Sequence, residues 1–407
     1  MLKNKTLLMI GAGLEQIPAI NRAKALGVYT IVTDGNKNAP GVKYADDFLC
    51  ASTYDEVKTV NLAKQYSEKH KIDGVIAVAA DVPRTVAAVA KALNLEGITS
   101  KTAELASDKL KMKRRFASQN VPIPWFKEIN SFKELQTTFK KKGGAVVIKP
   151  VDSRGARGVL YLTQNSDLEW AYNYSLSFSP SEKVIIEEFL DGPQVSTESI
   201  LIQGKAYTIG FSDRNYEDLI QFAPFMIENG GTQPTLLSDK TVKEINFLIE
   251  KAASAIGIKN GVVKGDIVVH NGVPKVIEIA ARLSGGWFCT DQIPLSTGVD
   301  FLQQAYKIAL GEKLRVKDLT PQYHKGCAIR YWFPPVGKII KIKGIRKLSK
   351  MPGVKKYGFF CKPGEHIKKV SNHTERVGFV ITVGKDREQA MDRMKDALDS
   401  VQFEIKQ

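Results

Sequence analysis

The sequence predicts a mixed α/β protein that opens with a doubly wound parallel sheet and continues into strand-rich α+β segments. Three observations support this prediction. Short apolar runs alternate with helical periodicity through residues 6–98. Strand patterns separated by a glycine-bearing turn dominate residues 145–203. A length of 407 residues is enough for two or three domains, each with its own core.

The N-terminal elements alternate in the order that a parallel sheet requires. Strands are predicted at residues 6–10, 28–33 and 74–78, a further strand begins at 97–98, and helices are predicted at 16–26 and 84–93. Gly27 ends the first helix, and Asp34-Gly35 forms a turn after the second strand. This rhythm predicts a small doubly wound α/β domain.

Beyond residue 105 the alternation gives way to runs of strands. A helix at 109–119 starts after a Ser107-Asp108 N-cap and ends at the Pro-rich connection 120–124. Strands are predicted at 145–150, 158–163, 184–190, 196–202, 262–263, 266–269 and 275–279, and helices at 168–174, 241–256, 301–310 and 387–401. The C-terminal part starts near Gly326. It contains a basic stretch, 338–350, which lacks interleaved aromatics and is interpreted as a solvated hairpin rather than a nucleic-acid site.

The composition is that of a globular protein, with 43% hydrophobic and 25% charged residues, but the formal net charge is +16. A positive field concentrates anions such as a nucleotide, an acidic metabolite or a nucleic acid, although a lysine-rich surface also serves solubility alone. The four cysteines stand far apart, which argues against a zinc site and a disulfide framework. Apolar runs are too short for a signal peptide or a membrane span, so we expect a cytoplasmic protein with no membrane partner.

The clearest chemical pattern follows the apolar strand that ends at Lys149. The loop 152–158, Asp-Ser-Arg-Gly-Ala-Arg-Gly, carries two glycines and two arginines. Glycines let backbone N–H groups approach phosphate oxygens, while lysine adds a point charge and arginine a fork of donors. The alternative is an ordinary hairpin, since Gly, Asp and Ser are common turn residues.

Two carboxylates, Glu187 and Glu188, end the next apolar strand. They can accept hydrogen bonds from an adenine amino group or a ribose hydroxyl, and the adjoining backbone can read the edge of the base. Taken alone, this motif is better explained by solvated glutamates on an edge strand.

A third constellation joins Asp266, Glu278 and Arg282. Counting back from the Asn271-Gly272 turn, the two carboxylates can lie across from each other on neighbouring strands. Paired carboxylates with no cysteine or histidine nearby form a hard oxygen site that suits Mg²⁺. Arg282 on the same side could neutralise a transferring phosphoryl group. The alternative is a salt-bridged surface hairpin.

In this order the segments resemble the ATP-grasp superfamily, to which biotin carboxylase, glycinamide ribonucleotide synthetase and the carbamoyl-phosphate synthetase large subunit belong. The resemblance rests on SDKLKMKRRF (107–116), VIKP (147–150), the DSRGARG loop, IIEEFLDG (185–192) and IEIAARLSGG (277–286). The stretches FPPVGKIIKIKGI, MPGVKKYGFFCKPGEHI and RVGFVITVGKDREQAMDRM look like the C-terminal domain of the L-amino-acid ligase branch. The resemblance covers nearly the whole chain.

The resemblance implies four segments. Residues 1–105 would form the doubly wound parallel-sheet domain, and 106–188 and 189–325 the small and large lobes of a two-lobed ATP-grasp core. Residues 326–407 would form a C-terminal β-rich α+β domain. It also implies ATP and Mg²⁺, with Mn²⁺ as an alternative metal, and it is compatible with a homodimer.

Residue roles follow from the resemblance by position. ATP would be held by Lys109, Lys149, Ser153, Arg154, Gly155, Arg157, Gly158, Glu187, Glu188, Phe189, Leu190 and Gln194. Asp266 and Glu278 would bind the metal. Arg282 and Lys149 would act in catalysis, and the substrate site would consist of Arg282, Ser284, Gly285, Gly286 and Trp287.

Three positions depart from the family pattern. Gln194 stands where a ribose-binding glutamate is common, and Asp266 stands where glutamate is commoner. Ala280 replaces an asparagine that often follows the metal glutamate, which removes one ligand and leaves open whether one or two ions bind. None of these changes removes a charged group that the chemistry requires.

Two further signals have alternative explanations. Gly11-Ala12-Gly13 with Asp34 is similar to a dinucleotide fingerprint, but Gln16 at the third glycine position would crowd the helix against the strand. Trp287 and Phe288 could wall an acceptor pocket or pack in the core.

The leading hypothesis is a ligase that activates a carboxylate as an acyl phosphate and joins it to an amine, with an amino acid or a small acidic metabolite as substrate. A second hypothesis keeps the fold and activates bicarbonate or formate, as in purine or carbamoyl-phosphate synthesis. A third is a nucleotide-binding regulatory protein without catalysis.

Overall fold

The computed structural model describes residues 2–407 and begins with a parallel sheet. Its first elements are β1 (Thr6–Ile10), α1 (Ile17–Ala25), β2 (Tyr29–Asp34), β3 (Asp47–Cys50), α2 (Glu56–Ser67), β4 (Gly74–Ala77) and α3 (Pro83–Ala92). All strands run parallel in the order β3-β2-β1-β4. Successive β1 residues point into two different apolar cores, so both faces of the sheet are covered. The predicted doubly wound domain is confirmed.

The strand predicted at 97–98 is wrong. These residues form an irregular connection, and Gly97 packs so closely on α3 that an added Cβ would lie 2.9 Å from the Ala90 side chain. Gly97 therefore allows this connection to pack closely on α3, and it does not start a strand. The short edge strand β3 and the helix α2, by contrast, were not predicted.

A small antiparallel sheet follows. Its segment contains α4 (Ser100–Ser107), α5 (Lys109–Ser118), β5 (Phe126–Ile129), α6 (Phe132–Lys142), β6 (Val146–Pro150), β7 (Leu160–Leu162), α7 (Leu168–Ser177) and β8 (Val184–Glu188). The strand order is β5-β8-β6-β7. As predicted, Asp108 caps α5: its side chain accepts a hydrogen bond from the Lys111 backbone N–H at 2.9 Å.

The largest sheet begins in the next segment, which contains β9 (Gln194–Ile202), β10 (Lys205–Arg214), α8 (Leu219–Phe222), β11 (Gly231–Gln233), α9 (Asp239–Ile256), β12 (Gly261–His270), β13 (Val273–Ala280), α10 (Ile293–Thr297) and α11 (Phe301–Ala309). The two strands predicted at 262–263 and 266–269 are one continuous strand, β12. The turn between β12 and β13 is at Asn271-Gly272, as predicted, and both residues have positive φ.

The C-terminal segment extends this sheet with β14 (Gly326–Tyr331), β15 (Gly337–Lys343), α12 (Ile345–Leu348), β16 (Val354–Phe359), β17 (His366–Ile367), β18 (Gly378–Gly384), α13 (Arg387–Asp399) and β19 (Gln402–Lys406). The eight strands lie in the order β13-β12-β9-β10-β11-β14-β18-β16. The sheet therefore runs across the boundary expected after residue 325, and the four-segment division stays a proposal.

The basic stretch 338–350 is not the predicted hairpin. It forms β15 and α12, and β15 pairs with β17 and β19, both distant in sequence from it. Among residues 2–407, no helix combines the length and apolar character needed to cross a bilayer.

Candidate active site

A cavity of about 960 Å³ lies where three of the four sheets in residues 2–407 meet. Its walls come from the carboxyl ends of the N-terminal parallel strands, the small sheet with its loop 152–158, and the inner face of the large sheet. The segment before β18 contributes His373, Thr374 and Arg376. This volume can hold a nucleotide together with a small substrate.

Most of the residues predicted from the sequence line this one cavity. They are Lys109, Lys149, Ser153, Arg154, Gly155, Arg157, Glu187, Glu188, Phe189, Leu190, Gln194, Asp266, Glu278, Arg282, Ser284, Gly285 and Gly286. Gly158 and Trp287 do not line it. The assignment of each lining residue to ATP, metal or substrate remains a prediction.

The two exceptions have packing explanations. Gly158 has φ +72°, and a Cβ there would lie 2.7 Å from the Pro150 ring, so it lies against β6 beneath the loop. Trp287 was expected to contact the substrate, but it is buried and stacks on Phe379 with 3.6 Å between ring centroids. This expectation is corrected: Trp287 belongs to the core, and its neighbour Phe288 lines the cavity.

The predicted pair of carboxylates is present. Asp266 on β12 stands directly opposite Glu278 on β13. Asp266 accepts hydrogen bonds from Ser196 Oγ at 2.9 Å and from the Lys264 ammonium, and its Oδ1 lies 3.2 Å from Arg214 Nη1. Glu278 Oε2 lies 3.4 Å from Lys109 Nζ.

Both carboxylates are held ionised. Burial opposes ionisation of Asp266, but the charges of Arg214 and Lys264 lower its pKa. Burial likewise opposes ionisation of Glu278, and Lys109 leads the cations that lower the pKa of this carboxyl. Two facing ionised oxygen ligands that open to the cavity fit Mg²⁺, which keeps several waters and shares phosphate ligands. Residues 2–407 contain no cluster of three or more His, Cys, Asp or Glu side chains that could hold an ion alone.

A buried triad of charges lies beside this pair. Glu187 Oε1 is 2.9 Å from Lys149 Nζ and 3.0 Å from Lys113 Nζ, and all three side chains are at most 6% exposed. Burial, followed by the repulsion of Lys149, lowers the pKa of Lys113 to about 8, although Glu187 opposes this. One carboxylate thus faces two lysines, and the site holds excess positive charge where an anion can bind.

The glycine-bearing loop is held over the cavity from three directions. Lys109 Nζ donates to Ser153 O at 2.7 Å. The Arg154 guanidinium lies 4.2 Å from the Tyr54 ring centroid and donates to the Asp81 carbonyl at 3.1 Å. His373 N donates to Gly155 O at 3.0 Å. Contacts to both the N-terminal and C-terminal segments therefore hold the loop in place.

Arg282 joins the large sheet to the N-terminal domain. Its Nε lies 3.4 Å from Asp81 Oδ1, and its Nη1 donates to Leu283 O at 3.2 Å. Leu283 also forms a parallel bridge with Val78, at the end of β4. The loop 283–286 is consequently seated against the edge of the parallel sheet where its strands end, the usual position for ligands in α/β folds.

Sequence reasoning missed several charged or titratable residues of the site. They are Glu15, Lys113, Arg214, Glu228, Lys264, His373 and Arg376. Lys113 could have been found, because it follows Lys109 by one helical turn and shares its face of α5. Arg214 and Arg376 carry no local signal, since β10 and the segment before β18 bring them in from distant parts of the chain.

Gln16 stands at the position where a dinucleotide-binding motif would have its third glycine. Its Nε2 donates to Val78 O at 2.6 Å, and its Oε1 would lie 2.8 Å from a Cβ on Gly13. The side chain thus fills the space between the first helical turn and β4.

Glu198 lies against the loop 283–286, and its ionisation makes the stability of the protein depend on pH. It is fully buried, and its Oε1 accepts from Ser284 N at 3.2 Å. Burial raises its pKa from 4.5 to about 7 against the opposing effects of Ser284, Arg282 and Lys264. The folded protein therefore binds this proton more tightly than the unfolded chain, and stability is lost as pH rises through about 7.

Glu198→Gln should remove this dependence because glutamine accepts the same hydrogen bond without ionising. We expect wild type to lose on the order of 2 kcal/mol more than the variant between pH 5 and pH 8.5. Denaturant unfolding at the two pH values measures the difference. Parallel pH profiles for the two proteins would contradict the prediction.

Three stretches of the chain match known protein families. Residues 106–286 match the ATP-grasp domain, residues 20–97 the ATP-grasp N-terminal domain, and residues 330–406 the L-amino acid ligase C-terminal domain 2.

Similar proteins and structures agree with these matches. The protein y4rH of Sinorhizobium fredii is 25% identical, over 88% of this chain and 75% of its own length. The alanine–anticapsin ligase of Bacillus subtilis is 27% identical, over 54% of this chain and 50% of its own length. The crystal structure of an L-amino acid ligase from Bacillus licheniformis superposes with a TM-score of 0.84 over the whole of both chains, at 22% identity, which shows a common fold.

Proposed function

Because this chain is an ATP-grasp ligase of the ADP-forming, carbon–nitrogen type, we propose that it activates a carboxylate as an acyl phosphate and joins it to an amine. The products are an amide, ADP and phosphate. The carboxylate and the amine are small molecules, an amino acid or a small acidic metabolite among them. The proposed location is the cytoplasm, and the proposed assembly is a homodimer.

One observation carries the proposal. A single cavity gathers lysines suited to phosphates, facing carboxylates suited to Mg²⁺, and an arginine beside a glycine-bearing loop. A carboxylate does not react with an amine at neutral pH, because its oxygen is a very poor leaving group. Transfer of a phosphoryl group to the acid makes phosphate the leaving group, and positioning and charge neutralisation then suffice for catalysis.

The residues divide this work. Lys109 and Lys149 bind phosphates of ATP, and the loop 152–158 excludes water from the acyl phosphate. Asp266 and Glu278 would hold Mg²⁺, which would supply positive charge against the triphosphate. Arg282 draws the acid towards the phosphates and offsets the repulsion between two anions.

The experiment that tests the proposal follows ADP release with a panel of acids and traps the acyl phosphate with hydroxylamine. The panel contains the standard L-amino acids, small dicarboxylic acids, bicarbonate and formate. We expect hydroxamate formation that depends on ATP, Mg²⁺ and one of the amino acids or acidic metabolites, at least about 10²-fold above the reaction without protein.

Other outcomes select the alternatives. ADP release with bicarbonate or formate alone would place the protein with the carboxylases or the formate-activating ligases. ATP binding without ADP release for any acid in the panel would leave a nucleotide-binding regulatory protein and overturn the proposal.

A further inference from the structure

Glu15 is a carboxylate of the N-terminal domain that reaches the cavity beside the loop 283–286. It lies in a single 3₁₀ turn, Leu14–Gln16, directly after β1. Its Oε2 accepts a hydrogen bond from Gly286 N at 2.8 Å. The contact is tight, because a Cβ on Gly285 would lie only 2.5 Å from the same oxygen. Glu15 is therefore fixed in the cavity, within electrostatic reach of Arg376 and Arg282.

Glu15 differs from the other acidic residues of the cavity in having an unused oxygen. Six of the eight acidic residues lining it form ion pairs: Asp81, Glu187, Glu188, Glu228, Asp266 and Glu278. Asp34 uses both oxygens, which accept from Ala12 N and Asn36 N. Glu15 forms no ion pair within residues 2–407, and its Oε1 accepts no hydrogen bond there.

We propose that Glu15 receives the ammonium group of the amine substrate and takes the proton that must leave before nitrogen can attack. This inference rests on the proposed ligase function. A positively charged amine needs a carboxylate that no ion pair already neutralises, and Glu15 has an oxygen free to bind it. Its position within electrostatic reach of Arg282 brings the nitrogen towards the acid that Arg282 binds.

The proton balance is complete with this residue. The ammonium gives one proton to Glu15 and becomes a neutral amine with a lone pair. Nitrogen attacks the acyl carbon and forms the C–N bond, and the C–O bond to phosphate breaks with its electrons going to the phosphate oxygen. The second nitrogen proton passes to the departing phosphate, and Glu15 returns its proton to water.

The charges around Glu15 suit a base. Burial raises its pKa, while the Gly286 N–H and the charges of Arg376 and Arg282 oppose that rise. The other titratable groups near this region are Tyr331 and Cys289, both neutral because burial raises the pKa of each, and Glu198, whose pKa burial raises to about 7. The carboxylate is consequently more basic than a free glutamate but keeps two cations near it.

The experiment compares two nucleophiles in wild type and Glu15→Gln. Glutamine still accepts the Gly286 hydrogen bond but cannot take a proton. Hydroxylamine, mostly unprotonated at neutral pH, needs no base, whereas L-alanine enters as an ammonium ion. With the standard L-amino acids as the acids, we expect hydroxamate formation within about three-fold of wild type and dipeptide formation at least about 10²-fold lower. Raising the pH should restore dipeptide formation as free amine accumulates.

A matched control separates a structural role from proton transfer. Gln292 contacts the same residue at its carbonyl, its Nε2 donating to Gly286 O at 2.8 Å, and it does not titrate. Gln292→Met should therefore change both reactions by the same factor. If Glu15→Gln also lowers both reactions equally, or lowers neither, the role of Glu15 is overturned. Absence of hydroxamate with the wild-type protein would instead contradict the proposed ligase function itself.

Discussion

Replacing Glu187 by methionine is expected to lower the free energy of unfolding by about 3–5 kcal/mol, the size found when one partner of a buried ion pair is removed. Glu187 is the only carboxylate within 4 Å of Lys113 and Lys149 in the part of the chain the structure describes. Without it, two buried ammonium groups repel each other with no counter-charge. Urea unfolding of the variant and wild type measures the change.

Lys149→Met should have the opposite effect on stability but should strongly reduce activity. It removes the excess charge and leaves Lys113 and Glu187 as a neutral pair, so the unfolding free energy should stay equal or rise by about 1 kcal/mol. ADP release should fall about 10²–10³-fold, because a cation of the phosphate site is lost. Lys251, which lies outside the cavity and donates from Nζ to the Asn120 carbonyl, provides the control variant Lys251→Met. A strongly destabilised but active Lys149→Met would contradict the interpretation.

Where a short turn joins two neighbouring strands, the sequence predicts which residues of the site lie near each other. Asp266 and Glu278 were expected on neighbouring strands because the Asn271-Gly272 turn joins β12 to β13, but the register of that turn alone would set Asp266 opposite Ile277. A bulge directly after Asp266 shifts the register by one residue, and this shift, which the turn does not predict, brings Glu278 opposite Asp266. Motif spacing similarly predicts that Lys149 and the glycine-bearing loop lie together.

Contacts between distant segments could not be predicted from the same patterns. Trp287 follows two glycines, a context equally typical of a pocket wall, but its φ of +54° belongs to a backbone turn and its ring stacks on Phe379 of β18. The stretch 338–350 has the alternation of a hairpin, yet β15 pairs with strands that arrive much later in the chain. Glu15 and Arg376 carry no signal at all, because only tertiary packing brings them to the cavity.

Arg282 has a guanidinium that is fixed by Asp81 and by the Leu283 carbonyl. Arg282→Met should lower ADP release about 10³-fold or more, as does loss of an arginine that neutralises a transferring phosphoryl group. ATP binding should change little, because Lys109, Lys149 and the loop remain. Arg282→Lys should recover only a small part, since an ammonium lacks the guanidinium fork that grips a carboxylate.

Arg22 provides a matched control, because it forms an arginine–aspartate pair with Asp300 between α1 and α11, away from the cavity. Arg22→Met should therefore leave ADP release unchanged while removing a pair of the same chemistry. Isothermal titration with ATP and a coupled ADP assay separate nucleotide binding from turnover in both variants. If Arg282→Met releases ADP within ten-fold of wild type, the acid cannot be bound where Arg282 meets the loop 283–286. In that case we expect the acid to bind Lys264 and Arg214, the cations beside Asp266. The same two assays on Lys264→Met then test whether the acid binds there.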